Sequence, residues 1–178
     1  DKKTGRTVES RNKDRAIYIQ AQVHHTLGRA ADAIREYRKV EDRFSDAKAA
    51  LAWFQRKAVE LPEVTALRPG EPAAVELKFR NVAACDVKAY RIDLMKYSLL
   101  RGDLSGVARI NLAGIRPLYE AEVKLGDGQD YRDHAQKLPL PLTKEGAYLV
   151  VCRGENLHAG GLVLITPLVV EVQADRGS

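Results

Sequence analysis

The sequence is poor in the residues that staple, anchor or arm an unusual chain. It holds two cysteines, one methionine, one tryptophan and only 6% aromatics in 178 residues. Two cysteines exclude a disulfide scaffold. No apolar run reaches the ~18 residues that a membrane-spanning helix needs. The longest, Leu162 to Val172, is broken by Thr166, Pro167 and Glu171. A P-loop, a dinucleotide-binding glycine pattern and a Ser–His–Asp signature are all missing. Disorder is excluded from the other side, because 45% of the residues are hydrophobic.

What is present divides in two. The formal net charge is +5, yet residues 1–60 carry 14 Lys and Arg against 9 Asp and Glu, and residues 61–178 carry 15 of each. The whole excess therefore sits in the first third. A pI near 9.2 invites a nucleic-acid partner. The neutral remainder, and the lack of a dense basic stripe with interleaved aromatics, point to none.

The periodicity changes at the same place as the charge. Residues 1–12 are polar and aperiodic, which reads as a frayed start or a cut inside a longer protein. From Lys13 to about Val59 the apolar spacing is helical. Ile17, Ala21 and His24 share a face of a first helix, which Gly28 ends in a left-handed conformation. Ala30, Ala33, Ile34, Tyr37, Val40 and Phe44 define a second helix. Its other face is Arg35, Glu36, Arg38, Lys39 and Asp42. Ser45 or Asp46 is expected to cap a third, with Ala47, Ala50, Leu51, Phe54 and Ala58 inward.

Pro62 breaks this pattern, and short extended segments follow. Val75, Leu77 and Phe79 alternate with Glu76, Lys78 and Arg80, the mark of a half-buried strand. Further strands are expected at Val87–Ile92, Leu118–Leu125 and Tyr131–Leu140. Ala147–Cys152 and Leu162–Val172 read as central strands flanking a loop at Gly154–Gly161. Leu94, Tyr97 and Leu100, within residues 93–104, predict a short inserted helix. The expected fold is α+β in two parts. Residues 1–61 form antiparallel helices, and residues 62–178 a seven-stranded antiparallel, immunoglobulin-like sandwich.

Chemistry is hard to assemble from these residues. His24 and His25 point about 100° apart on a helix and cannot chelate one ion. His24 is expected to be half-buried and His25 solvated. His134 and His158 have no neighbouring cysteine. Cys85 and Cys152 lack zinc spacing and a sequence-adjacent His; Cys152, within the run Leu149–Cys152, reads as a buried inert thiol, and the two pair only if their strands are neighbours. Asp127, Asp130 and Asp133 do not follow a calcium loop and read as a solvated turn. No catalytic residue, metal or cofactor is expected. Arg35, Arg38 and Lys39 are the candidate partner-docking residues, on a helical face that also carries acidic side chains.

Two resemblances follow from particular residues. Leu27-Gly28-Arg29, Ala33-Ile34, Tyr37 and Val40 resemble the centre of a tetratricopeptide repeat. His24 stands there in place of an aromatic, and Ser45 in place of the closing proline. Residues 62–174 resemble a macroglobulin-type domain of the bacterial alpha-2-macroglobulin-like family. The resemblance is carried by Phe79-Arg80-Asn81-Val82, by Val87 to Leu94, by Glu145-Gly146-Ala147-Tyr148-Leu149-Val150-Val151, and by Gly161 to Thr166. It implies a sandwich with Gly146 at a turn and Tyr148 in the core. It also implies an exported protein, periplasmic, cell-surface or secreted. Large members of that family entrap proteases, some through a thioester cysteine followed closely by Glu-Gln. Cys85-Asp86-Val87 and Cys152-Arg153-Gly154 do not match that motif.

The resemblance implies a non-enzymatic scaffold and protein-interaction fragment of a large alpha-2-macroglobulin-like protein, within a protease-inhibitor or surface-defence assembly. Its partners would be neighbouring domains of a longer chain or an acidic protein surface. The alternatives are a free-standing adaptor that binds a peptide or acidic partner through its basic helices, and a carbohydrate-binding module. Leu61-Pro62-Glu63 is too short for a flexible tether, so the two parts are expected to pack together.

Overall fold

The computed structural model describes residues 10, 12–96, 112 and 114–168. Three helices carry the first part: α1 (Lys13–Thr26), α2 (Ala30–Arg38) and α3 (Ser45–Gln55). Gly28 ends α1 as expected, with φ 68°. The N–H of Gly28 reaches the carbonyl of His25 at 3.0 Å, and that of Arg29 reaches His24 at 2.9 Å. These two bonds make a Schellman motif and satisfy carbonyls that a helix end leaves bare. Ala21, Ala33, Ile34, Tyr37, Val40, Ala47, Leu51 and Phe54 form the helical core. Small residues at 21 and 33 allow close approach of α1 and α2, and Tyr18 stacks on Phe44 at 4.6 Å to close one side.

Five helical expectations need correction. The second helix stops at Arg38, so Val40 and Phe44 join the core from the turns beyond it. Neither Ser45 nor Asp46 caps α3: Phe44 occupies that position with an extended backbone and no side-chain cap bond. The helix stops at Gln55, because Arg56 turns out with φ −56° and ψ 139°. Ala58 is therefore not an inward helical residue but the first of a strand. Glu36, read as exposed, is buried with the core face of α2 and neutralised by Arg35 and Lys39.

Eight strands follow: β1 (Ala58–Glu60), β2 (Val64–Leu67), β3 (Ala74–Arg80), β4 (Ala84–Ile92), β5 (Tyr119–Lys124), β6 (Asp133–Pro139), β7 (Gly146–Gly154) and β8 (Leu157–Ile165). They form a sheet of order β1-β3-β6 and a sheet of order β2-β8-β7-β4-β5. Val75, Leu77, Phe79 and Leu138 of the first sheet share a core with Val87, Ala89, Tyr148, Val150, Val163 and Ile165 of the second. Gly146 takes φ 146°. The Tyr148 hydroxyl donates to the Lys144 carbonyl at 2.7 Å, so the ring is buried with its polar end satisfied.

The sandwich departs from the expectation in three ways. The described residues hold eight strands instead of seven, since β1 joins the smaller sheet through Val59 opposite Phe79. Secondly, β2 runs parallel to β8, with Val64 opposite Leu162 and Leu67 opposite Ile165. The chain leaves β1 in one sheet and crosses at Leu61-Pro62 onto the edge of the other. Gly161 permits this crossing, because a Cβ there would run into the Pro62 carbonyl. Lastly, the expected loop at Gly154–Gly161 is mostly strand. β7 and β8 form a tight hairpin in which Gly154 faces Leu157 and Val151 faces Gly160. Gly161 is in the ladder for its close backbone approach, not for a turn.

The unclear polar face of β4 is also explained. Lys88 lies on the outer sheet surface beside Glu120 at 2.7 Å, whereas Tyr90 and Ile92 continue that surface into an apolar half. There Ala147, Leu162, Leu164, Ile92 and Leu94 pack together. The expected inserted helix is seen as one turn over 94–96. Its remaining residues, and residues 169–172 of the expected last strand, lie outside the described residues.

Candidate functional site at the helix–sandwich junction

The most specific polar arrangement is where α3 meets the β3–β4 turn. Asn81 is buried and has φ 51°, a left-handed conformation that asparagine tolerates better than most residues. Its amide donates to the carbonyls of Phe54 at 2.7 Å and Arg56 at 2.8 Å. Those carbonyls sit at the end of α3, where the helix supplies no partner. Its Oδ1 accepts the N–H of Tyr131 at 3.0 Å. One side chain thus ties the end of α3, the β3–β4 turn and the loop before β6.

Arg80 reinforces this joint. It was placed on the exposed face of β3, but only 1% of it is exposed. Trp53 of α3 covers it, with the guanidinium carbon 4.5 Å from the ring centroid. Its Nη1 donates to Asp133 at 3.0 Å. Its Nε and Nη2 are buried without a hydrogen-bond partner, and face an environment that the indole ring helps to make tolerable. Arg56 also reaches Asp133, at 3.4 Å. The Asp133 carboxyl is held below the usual carboxylate range, first by the Arg80 hydrogen bond and then by the two positive charges. Lys57 pairs with Glu155 at the β7–β8 turn, a second bridge between the parts.

The sequence-derived candidates fall elsewhere. Arg35 pairs with Asp32 at 2.8 Å and with Glu36, and Lys39 pairs with Glu36 at 2.6 Å. The Glu36 carboxyl is lowered chiefly by its bond to Lys39. Arg38 is exposed and has no ion pair among the described residues. His24 is half-buried as expected. His25 is not solvated: its ring lies 4.6 Å from Phe54 and 5.6 Å from Trp53. Asp127, Asp130 and Asp133 each serve a separate partner: the Gln129 N–H, His134 and Arg80. Among the described residues no three of His, Cys, Asp and Glu gather as metal ligands would.

Sequence reasoning named Asn81 only as a carrier of a resemblance, Arg80 as that and as an exposed strand residue, and Asp133 only as part of a solvated turn, and it did not single out Trp53. The available signal was a lone asparagine between two alternating segments, which suggests a turn and nothing more.

One helical surface is apolar without cover from the described residues. Ile19 and Val23 of α1 and Leu27 at its C-terminal cap recur every four residues and are 51%, 51% and 60% exposed. On the sandwich, a groove of about 990 Å³ runs along Ala66, Ile92, Leu94, Ala147, Leu164 and Leu168. No helix among the described residues is long and apolar enough to cross a membrane.

The fold defines an α+β chain in which three helices are joined to a two-sheet sandwich. Among solved structures it is similar to a native alpha-2-macroglobulin from Escherichia coli spanning domains MG0-NIE-MG1, at 18% identity and a TM-score of 0.47. That similarity covers 68% of this chain and 42% of the other. A second structure of that protein, spanning NIE-MG1, is similar at 18% identity and a TM-score of 0.41, over 61% of this chain and 60% of the other. The chain thus spans less than two thirds of either. No protein-family model and no curated protein matches it.

Proposed function

We propose that the chain is a non-enzymatic scaffold segment of a larger macroglobulin-like protein, and that it works by presenting surfaces to neighbouring domains. The observation that carries this reading is the apolar stripe Ile19–Val23–Leu27 on α1. A ridge with four-residue spacing is what a second helix packs against, and leaving it in water is costly. The junction supports the same reading from the inside. Asn81 spends its three bonds on joining the two parts, and the Arg80–Asp133 pair is bound up with Trp53 and Arg56, although Asp133 and Arg56 also line a cleft of about 450 Å³. The residue resemblance to macroglobulin domains supplies the assembly: a protease-inhibitor or surface-defence protein, exported from the cytoplasm.

The two parts are a helical domain and a sandwich domain that meet at residues 56–57. The pairing of β1 with β3 supports drawing the division here, ahead of the 61–62 boundary expected from the sequence. The tetratricopeptide-like character of the helices belongs to this proposal. An adaptor role through Arg35, Arg38 and Lys39 draws less support, since acidic neighbours on the same helix already pair with two of the three.

The test is to read the coding sequence on both sides and express the chain with its flanks. In the longer chain, amide exchange along α1 should be slower than in this segment alone. The triple change Ile19→Lys, Val23→Lys and Leu27→Lys should abolish that protection while leaving the isolated segment folded. A gene encoding only these residues, or α1 amides unaffected by the flanks, would overturn the reading.

A further inference from the structure

The only two cysteines of the chain meet inside the sandwich. β4 and β7 are antiparallel neighbours, and Val87 lies opposite Cys152. Cys85 is two residues before Val87, so its side chain leaves the sheet on the same face, diagonal to Cys152. Both are buried in the core and both are free thiols. Gly154 stands beside Cys85: a Cβ there would lie 3.4 Å from the Cys85 Cβ. With no side chain at 154, the space beside Cys85 on the Cys152 side of the ladder is left open. The proximity of the two thiols lowers the Cys85 pKa and, with burial, raises that of Cys152.

We propose that Cys85 and Cys152 form an oxidation site, a cross-strand dithiol that closes to a disulfide when the chain folds in the presence of a disulfide oxidant. The Cys85 thiolate attacks one sulfur of the oxidant's disulfide, and the other sulfur leaves as a thiolate. The Cys152 thiolate then attacks the Cys85 sulfur and displaces the second oxidant thiolate. Two thiols lose two protons and two electrons, and the oxidant departs as two thiols. A diagonal pair spans about 7–8 Å between Cα atoms, beyond the usual disulfide range, so closure requires backbone movement that draws β4 and β7 together. The buried setting places the reaction during folding, before the sheets seal. The bond would cross-link the centre of the larger sheet. This inference does not depend on the scaffold reading.

The test uses the whole chain, unfolded, reduced and refolded in a buffer of oxidised and reduced glutathione. The expected product is monomeric, lighter by about 2 Da for two hydrogens, and free of titratable thiol in denaturant. Its Tm should exceed that of the reduced chain by several degrees. The double variant Cys85→Ala/Cys152→Ala should show no response of Tm to reductant. The single variants Cys85→Ser and Cys152→Ser should carry one free or glutathione-capped thiol. Two thiols surviving refolding, or glutathione adducts and cross-linked dimers in place of the internal bond, would overturn the proposal.

Discussion

Asn81 shows how much a single side chain can hold. Its three hydrogen bonds link elements separated by 25 to 50 positions in sequence. Replacing it with Ala leaves two carbonyls and an N–H without protein partners, and retains an L-residue at φ 51°. Asn81→Ala should cost about 2–4 kcal/mol in urea unfolding. Asn81→Gly loses the same bonds but accepts the backbone without strain, so it should fall short of that loss by about 1 kcal/mol. Equal losses would show that backbone conformation contributes nothing here. Asp133 acts through charge. Its folded pKa is depressed, so its contribution is present above the unfolded value near ~3.9 and is lost as pH falls through the folded value. Asp133→Asn should lower Tm at pH 7, with a cost of about 1 kcal/mol or less because the carboxylate is largely exposed. The gap between wild type and variant should close as pH is taken from 5 toward 2. A gap that is constant over that window would separate Asp133 from the ion pair with Arg80.

At the scale of elements, the legible parts were those whose signal is local. The α1 stop at Gly28, the apolar face of α2 and the alternation of β3 all follow from spacing along the chain. The β1 strand did not, because three residues carry no period and Val59 is drawn to Phe79 by pairing. The β7–β8 hairpin was hidden for a different reason. Glycines at 160 and 161 resemble a loop locally, yet one of them is needed where the Leu61-Pro62 crossing passes close to β8. Gly161→Ala should therefore cost about 2 kcal/mol or more and loosen β2 from β8, whereas Gly28→Ala, with open space around its Cβ, should cost only its left-handed strain of about 1 kcal/mol. Thermal unfolding of both variants would decide, and a smaller effect at 161 than at 28 would contradict the close crossing.

At the scale of the molecule, two hydrophobic cores meet through a polar joint. Trp53 belongs to α3 and lies over Arg80 of β3, so its fluorescence reports the joint itself. Because Asn81, Arg80 and Asp133 bind both parts, unfolding should be a single transition, with Trp53 fluorescence, far-ultraviolet dichroism and strand amide exchange sharing one midpoint. Two separated midpoints would mean that the parts are only tethered.

The sequence by itself determined the two-part division of charge and period, the helical face and the sandwich class. These are properties of neighbours along the chain, and spacing encodes them. Only the tertiary structure decided that Arg80 is buried, that Asn81 buckles α3 to the sandwich, that β2 runs parallel to β8 and that Cys85 lies against Cys152. Each depends on residues far apart in sequence. A side chain's partner across such a distance is selected by how whole sheets and helices pack, which no local pattern records.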